Sequence, residues 1–458
     1  MSNATRKQPK RLVAALAAAL GLIGLQSGAF ASVLSVTSCA DDGSSGSLRQ
    51  VAAQAVHGDS IDLSGLSCIG STVTLTQGEI VLPYNVTLNG PASADLTVTA
   101  SGSRVFSSTS TDQPAPYLAI QNLKISGGRV NASTDDVAGG CIMASGRVTL
   151  NNSSVADCSA NTDYGSARGG GIFADSVELI SSRVSGNGAN APGHASLARG
   201  GGIYVTTSLY CKDSTISGNT ALAESESDMA DGGGAMLFNA NLSMYRCTVD
   251  SNAADRGAGL SQTVLYGPHQ TTLVANSTIS GNVASSAYSA AGLQVFCPDC
   301  TPADVQIYNS TIAFNGSQST YAAGVFTNGA IVAQSSIIAN NTGAGGIALD
   351  AFARRFAGAS NLVMSNNAPP EAGAVVSSAD PLLEQLADNG GATRTHALTA
   401  SSPALGAGNN VLGYTTDQRG NGFSRTFGGS VDIGAFQTQA ASPARASGDA
   451  IFVGSFND

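Results

Sequence analysis

A chain of 458 residues with 55 glycines, no tryptophan, 11 % charged residues and a formal net charge of −10 is acidic and rich in small residues. Beyond residue 31 its only lysines are Lys124 and Lys212, a balance that excludes nucleic acid as a partner and electrostatic attachment to anionic membranes. At this length two or three globular domains are expected, unless the chain grows along one dimension.

Residues 1–31 read as a signal peptide. Arg6, Lys7, Lys10 and Arg11 form a basic head, Leu12 to Leu25 an apolar run, and Ala29-Phe30-Ala31 a small-residue cleavage site. No later stretch is apolar for long enough to span a bilayer as a helix, so a secreted or cell-surface product is predicted. Export makes disulfides available to the eight cysteines. Cys39 pairs with Cys68 and Cys297 with Cys300 in this reading. A Cys141–Cys158 pairing stays open, Cys211 is read as a buried small hydrophobe, and Cys247 has no assigned partner.

Residues 32–105 have a loose register: a short helix through Val56, then strands near Val73 to Leu75, Ile80 to Leu82 and Val86 to Leu88. They read as an N-terminal cap with the first irregular turns, since an open parallel coil leaves unpaired edges that something must cover. From 106 to 345 a unit recurs about every 30 residues, the signature of stacked repeats. Its aliphatic anchors are Ile125, Val155, Val184, Ile216, Val249, Ile279, Ile312 and Ile337. Apolar residues stand five and seven positions earlier, as in Ile307 and Val305, the two-residue period of a strand with one buried face. A serine comes two before the anchor, and three after it Asn187, Asn219, Asn252, Asn282, Asn315 and Asn340 share a register.

Most units open on a small residue, a glycine and an aliphatic residue, such as Gly170-Gly171-Ile172 and Ala258-Gly259-Leu260. Gly345-Gly346-Ile347 is read as the last copy. Glycine suits a sharp bend or close approach. Such units satisfy their backbones by pairing in parallel with the turns above and below. Asn, which tolerates a left-handed corner, then stacks on Asn. The fold class is therefore all-β, a right-handed parallel β-helix with N-terminal and C-terminal caps. A leucine-rich repeat fits less well, because serine stands where it needs an aliphatic residue. Residues 346–437 read as the last turns with a C-terminal cap, and 438–458 as a flexible tail.

Three stretches carry a family likeness. Gly46-Ser47-Leu48-Arg49-Gln50, followed by Gly58-Asp59-Ser60-Ile61-Asp62-Leu63, resembles the N-terminal segment of bacterial secreted β-helix proteins with a Cys-Ser-Leu-Arg-Glu-Ala type domain, here without the cysteine and with Gln50-Val51 for Glu-Ala. The glycine and asparagine motifs resemble the short repeats of polymorphic outer-membrane proteins. Asp380-Pro381-Leu382-Leu383, Thr395-His396-Ala397-Leu398, Asp417-Gln418-Arg419-Gly420 and Asp432-Ile433-Gly434-Ala435-Phe436 resemble the choice-of-anchor Q segment of surface proteins. The likeness implies a β-helix displayed on or released from bacterial cells.

Catalysis would need two carboxylates on one cleft, or a base beside a carbanion-stabilising cation. Glu178 and Asp213 occupy adjacent layers in different columns, Lys124 and Arg183 share a column two layers apart, and no site converges. His57, His194, His269 and His396 are scattered and read as surface residues, so no catalytic residue, metal or cofactor is assigned. Tyr164, Tyr288 and Tyr321, on variable loops after the asparagine column, are candidates for stacking on sugar rings. Glu224, Glu226, Asp228 and Asp231 are a weak calcium candidate against the plainer reading of a solvated acidic loop. The predicted function is an exported, monomeric, non-catalytic β-helix with a structural or adhesive role, its partner an extracellular polysaccharide or a host or cell-surface glycan. The alternatives are a polysaccharide lyase or glycoside hydrolase and a glycan-binding module.

Overall fold

The structure, a computed structural model, describes residues 31–439 except 84, 110–115, 194–195, 224–228, 266–269, 288, 298–303, 320–321 and 345–348. One turn of the chain shows how each is made. Ile172–Ile180 runs along two faces with Ile172, Ala174, Val177 and Leu179 pointing inward. Ser181 turns the chain at φ +48, Arg183–Ser185 makes the third face, and Gly186 turns it again at φ +67. The next turn repeats this in register: Ile172 lies beside Ile203, Val177 beside Leu209 and Val184 beside Ile216, all in parallel. Among the described residues only Leu383–Ala387 and Thr395–Leu398 pair as antiparallel strands. The inward residues merge into one apolar core from Val36 to Ala374, and the molecule is a parallel β-helix.

Parallel pairing already starts at Val33–Ser35, beside Ser60–Asp62, so the first irregular turns belong to the stack. Helix α1 (Leu48–Gln54) packs against this end with Leu48 and Val51 buried. Ser47 accepts from the Gln50 backbone N–H, and Gln50 Oε1 accepts from the Gly46 N–H (3.2 Å), a reciprocal cap. Arg49 grips Asp41 through Nε at 2.8 Å and Nη2 at 3.0 Å and donates to the carbonyl of Gly78. No helix among the described residues is long and apolar enough to cross a membrane.

Two polar ladders run through the interior. The Asn252 Oδ1 accepts from both the backbone N–H and the Nδ2 of Asn219 at 2.9 Å, while Asn219 Nδ2 also donates to the Val184 carbonyl (3.1 Å). The same bonds link Asn187, Asn219, Asn252, Asn282 and Asn315. At the preceding corner Ser153, Ser182 and Ser214 bond rung to rung in the same sense. Second glycines of the opening motif explain the asparagines: a Cβ on Gly171, Gly202 or Gly234 would press on Asn187, Asn219 or Asn252.

Cysteines replace these contacts. Cys141 holds the glycine position and Cys158 the asparagine position of the first such rung, and they form a disulfide. Cys211 is bonded to Cys247, which stands in the serine column one rung on, so Cys211 is no simple buried hydrophobe and Cys247 is not unpaired. Cys39 pairs with Cys68. Cys297 is disulfide-bonded too, and Cys300 lies outside the described residues. These bonds fit an oxidising, extracellular compartment.

Three expectations are corrected. The ladder asparagines are not the left-handed residues; their predecessors are, at Gly186, Gly218, Ser251, Gly281, Phe314 and Asn340. Asn340 is therefore the turn residue, with its side chain on Asp380, and Asn341 continues the ladder from Asn315. The whole last repeat slips by one, pairing Ile312 with Ile338 and Val305 with Ile331. Both faces are buried there, Ile338 inward and Ile337 under the C-terminal residues, so alternation no longer marks the register. Opposite Gly324 and Val325 stand Asp350 and Ala351, while Gly345, Gly346 and Ile347, read as the last copy of the motif, lie outside the described residues.

The third concerns the stretch after the asparagine column, expected as variable loops. Among the described residues seven outgoing strands, such as Ser159–Thr162 and Gly188–Ala191, and four returning ones, such as Ser166–Arg168 and Leu197–Arg199, build this stretch. Ala160, Ala189 and Ala221 meet Ala167, Ala198 and Ala230 in a second core. This arm is thin because only methyl groups separate its leaves. First glycines of the motif sit at its root, where a Cβ on Gly170 or Gly201 would strike the carbonyl of Gly188 or Thr220.

Asn252→Ala removes the acceptor for two buried donors of Asn219, and unfolding in urea is expected to show a loss of about 1–3 kcal/mol for each. Asp350 ends the ladder, accepting from Asn341 N and Nδ2 at 2.9 Å. Burial raises its pKa above the ordinary 3.8, outweighing the hydrogen bonds from Asn341 and Ser365. The folded chain thus holds the extra proton, and this contribution to stability, complete below pH 3.8, is lost as the pH rises through the raised value. Asp350→Asn keeps an acceptor for Asn341, so its urea midpoint at pH 7 is expected above that of the parent.

Candidate functional site

Residues 380–439 fold back along the outward side of the third face. That side carries a threonine column, Thr215, Thr248, Thr278 and Thr311 in successive rungs. Three of the four are gripped: Thr248 Oγ1 donates to the Arg394 carbonyl (2.7 Å), Thr278 Oγ1 to Gln418 Oε1 (2.6 Å), and Thr311 Oγ1 accepts from the Ala435 N–H (3.0 Å). Gln418 is the hub, its Nε2 donating to Thr248 Oγ1 and Thr393 Oγ1 at 2.9 Å.

The segments that carried the anchor-like motif meet here. Arg419 lies between the rings of Phe423 and Phe436, 3.9 and 3.8 Å from their centroids, and is held by Asp417. Asp417 also accepts from the Gln437 N–H (2.8 Å). Arg425 is fully buried, donating to the carbonyls of Gly434 and Asp432, and burial pulls its pKa down to about 10. His396 is no surface residue: it is 3 % exposed, between Ser280 Oγ (2.8 Å) and the Glu384 carbonyl (2.7 Å).

The lobe stops short of Thr215, and the third face is bare beyond its edge. A groove opens there as two adjoining cavities of about 520 and 610 Å3, both lined by Lys124, Ser154, Arg183 and Arg394. Lys124, Ser154 and Arg183 are successive residues of one outward column. Arg183 sits on a strand, its backbone N–H donating to the Ser153 carbonyl, and its side chain makes no hydrogen bond or ion pair with any described residue. Asp213 is clasped by Arg246 at 2.6 and 2.7 Å, and Arg394 is paired with Asp250. Such a groove offers donors and acceptors of both charges to a polar, extended ligand. The shared column of Lys124 and Arg183 was legible in sequence, whereas the contribution of Arg394 depends on the lobe folding back over some 150 residues of chain.

The remaining candidates do not converge. Tyr164 projects from the arm tip, 67 % exposed, and Tyr288 and Tyr321 lie outside the described residues. Glu178 accepts from Thr149 on another face. Glu224, Glu226 and Asp228 lie outside the described residues, while Asp231 is buried against Arg256 (2.8 Å) and Arg199 (3.8 Å). Two guanidiniums already balance that carboxylate, which removes it as a calcium ligand. Among the described residues no cluster of three or more His, Cys, Asp or Glu has metal-site geometry.

Compared with protein-family models, curated proteins and solved structures, the chain matches none.

Burial holds His396 below its ordinary pKa of 6.5. The folded chain therefore binds fewer protons than the unfolded one, so this stability is complete above pH 6.5 and lost as the pH falls through the depressed value. Hydrogen exchange at residues 415–437 is expected to quicken relative to the coil on going from pH 7.5 to pH 5, and His396→Gln to shrink that difference.

Proposed function

We propose that this protein is an exported, non-catalytic β-helix of the bacterial surface or extracellular space, a rigid structural or adhesive body whose polar groove engages an extracellular polysaccharide or cell-surface glycan. The carrying observation is the placement of the disulfides inside the rungs, at positions that elsewhere hold the Gly–Asn contact and the corner serine. Bonds built into the repeat suit a chain that folds after leaving a reducing cytosol. Strands supply the groove floor, so its side chains are held at rung spacing rather than on mobile loops.

The rival reading, a polysaccharide lyase or glycoside hydrolase, has Arg183 in its favour, a cation whose side chain has no partner among the described residues, beside Lys124 and with Asp388 on the same cavity. Purified protein should retain polysaccharide in a pull-down and release neither reducing ends nor unsaturated products, with or without calcium. Arg183→Ala is expected to weaken retention several-fold while leaving the melting temperature in place, since the side chain supports nothing else. Product formation would assign catalysis instead.

A further inference from the structure

The returning leaf of the arm stops before the outgoing one. Among the described residues its last strand is Met229–Asp231, whereas outgoing strands continue to Gly316–Ser317, and at that step a cavity of about 1050 Å3 lies between the arm and the outward side of the first face. Two outward columns form the floor. One runs Met236, Ser261, Gln294, Phe326 and the other Phe238, Thr263, Phe296, each residue one rung from the next. At about 4.8 Å per rung the first column extends about 14 Å. Phe326 is held in place by stacking on Phe352, with centroids 5.3 Å apart and planes 14° off parallel.

The charges on the arm side are already matched. Asp231 faces Arg256 and Arg199, and Asp255 accepts from the Ser285 hydroxyl (2.5 Å) and the Ala230 N–H (3.0 Å). A charged ligand would meet no unbalanced partner here. One polar group lining the cavity lacks a hydrogen-bond partner among the described residues: Oε1 of Gln294, a residue 7 % exposed. It is an acceptor without a donor. A hydroxyl supplies that donor, and apolar side chains at both ends of the floor suit the C–H face of a ring.

We infer that this cleft binds a short, uncharged oligosaccharide, its ring faces on Phe326 and Phe296 and a hydroxyl on Gln294. The inference rests on the extracellular glycan reading but uses a site on a different face from the Arg183 groove. The size of the cavity matches what small ligands occupy.

The test is calorimetric titration of the full mature chain with β-linked hexasaccharides of glucose, xylose and mannose. At least one should bind saturably. Gln294→Leu and Phe296→Ser, each checked for an unchanged melting temperature, should weaken it about tenfold, the loss of one ring contact or one buried hydrogen bond. Arg183→Ala should leave it unchanged. Failure of all three sugars, or parent-like binding by both cleft variants, overturns the inference while leaving polysaccharide retention by the groove standing. Binding lost only in Arg183→Ala moves the site to the groove and equally overturns it. Concentration-dependent dimers in sedimentation that Phe296→Ser dissolves would make the cleft a contact between copies, again against the inference.

Discussion

Everything in this molecule depends on one repeated contact, an asparagine side chain lying against a glycine with no Cβ. Without the glycine the carboxamide has no room, and without the carboxamide the backbone at the corner has no partner. From Asn219 to Asn315 each Asn accepts twice from the rung before and donates to it and to the rung after, so no buried polar atom of these side chains is left over. In a low-dielectric interior such bonds are strong when complete and costly when broken. The ladder is also finished at both ends, by Cys158 donating to Asn187 Oδ1 and by Asp350 accepting from Asn341.

The second organising element is the C-terminal lobe, which reads the outside of the coil as the asparagines read the inside. It grips threonines spaced by one rung, so it docks only on a coil already stacked. Gln418, Arg419 and the Asp432-to-Phe436 stretch cooperate in this, with the guanidinium of Arg419 sandwiched between Phe423 and Phe436 and bound to Asp417. Where the lobe ends, exposed sheet begins, and the groove is the product of that edge.

Much of this was legible before any coordinates. Columns such as Val184, Ile216 and Val249 announce a strand with one dry side, and the asparagines from Asn187 to Asn315 in one register point to stacking. Other features escaped for physical reasons. The alanine arm was invisible because Ala160, Ala189 and Ala198 are too small to stand out as a hydrophobic pattern, and they bury well only because the glycines at the root let the leaves close. The slip at Asn340 arose where the lobe covers the outside, so that Ile337 and Ile338 are equally dry. The partner of Cys247 was missed because the pairing joins neighbouring columns in neighbouring rungs, although the register contains the answer. The groove and the cleft lie at edges, where one layer stops over another, and no local pattern records an edge.

Because the rungs from Asn187 to Asn315 offer the same donors upward and the same acceptors downward, a duplicated rung there would find its partners ready made on both sides. Chain length in such a protein is then free to change in whole units during descent, with no seam to repair. A unit gained between Arg183 and Thr215 would leave the lobe's grip on Thr248, Thr278 and Thr311 untouched and lengthen only the uncovered floor. The reach of the groove could thus be tuned by gene duplication alone.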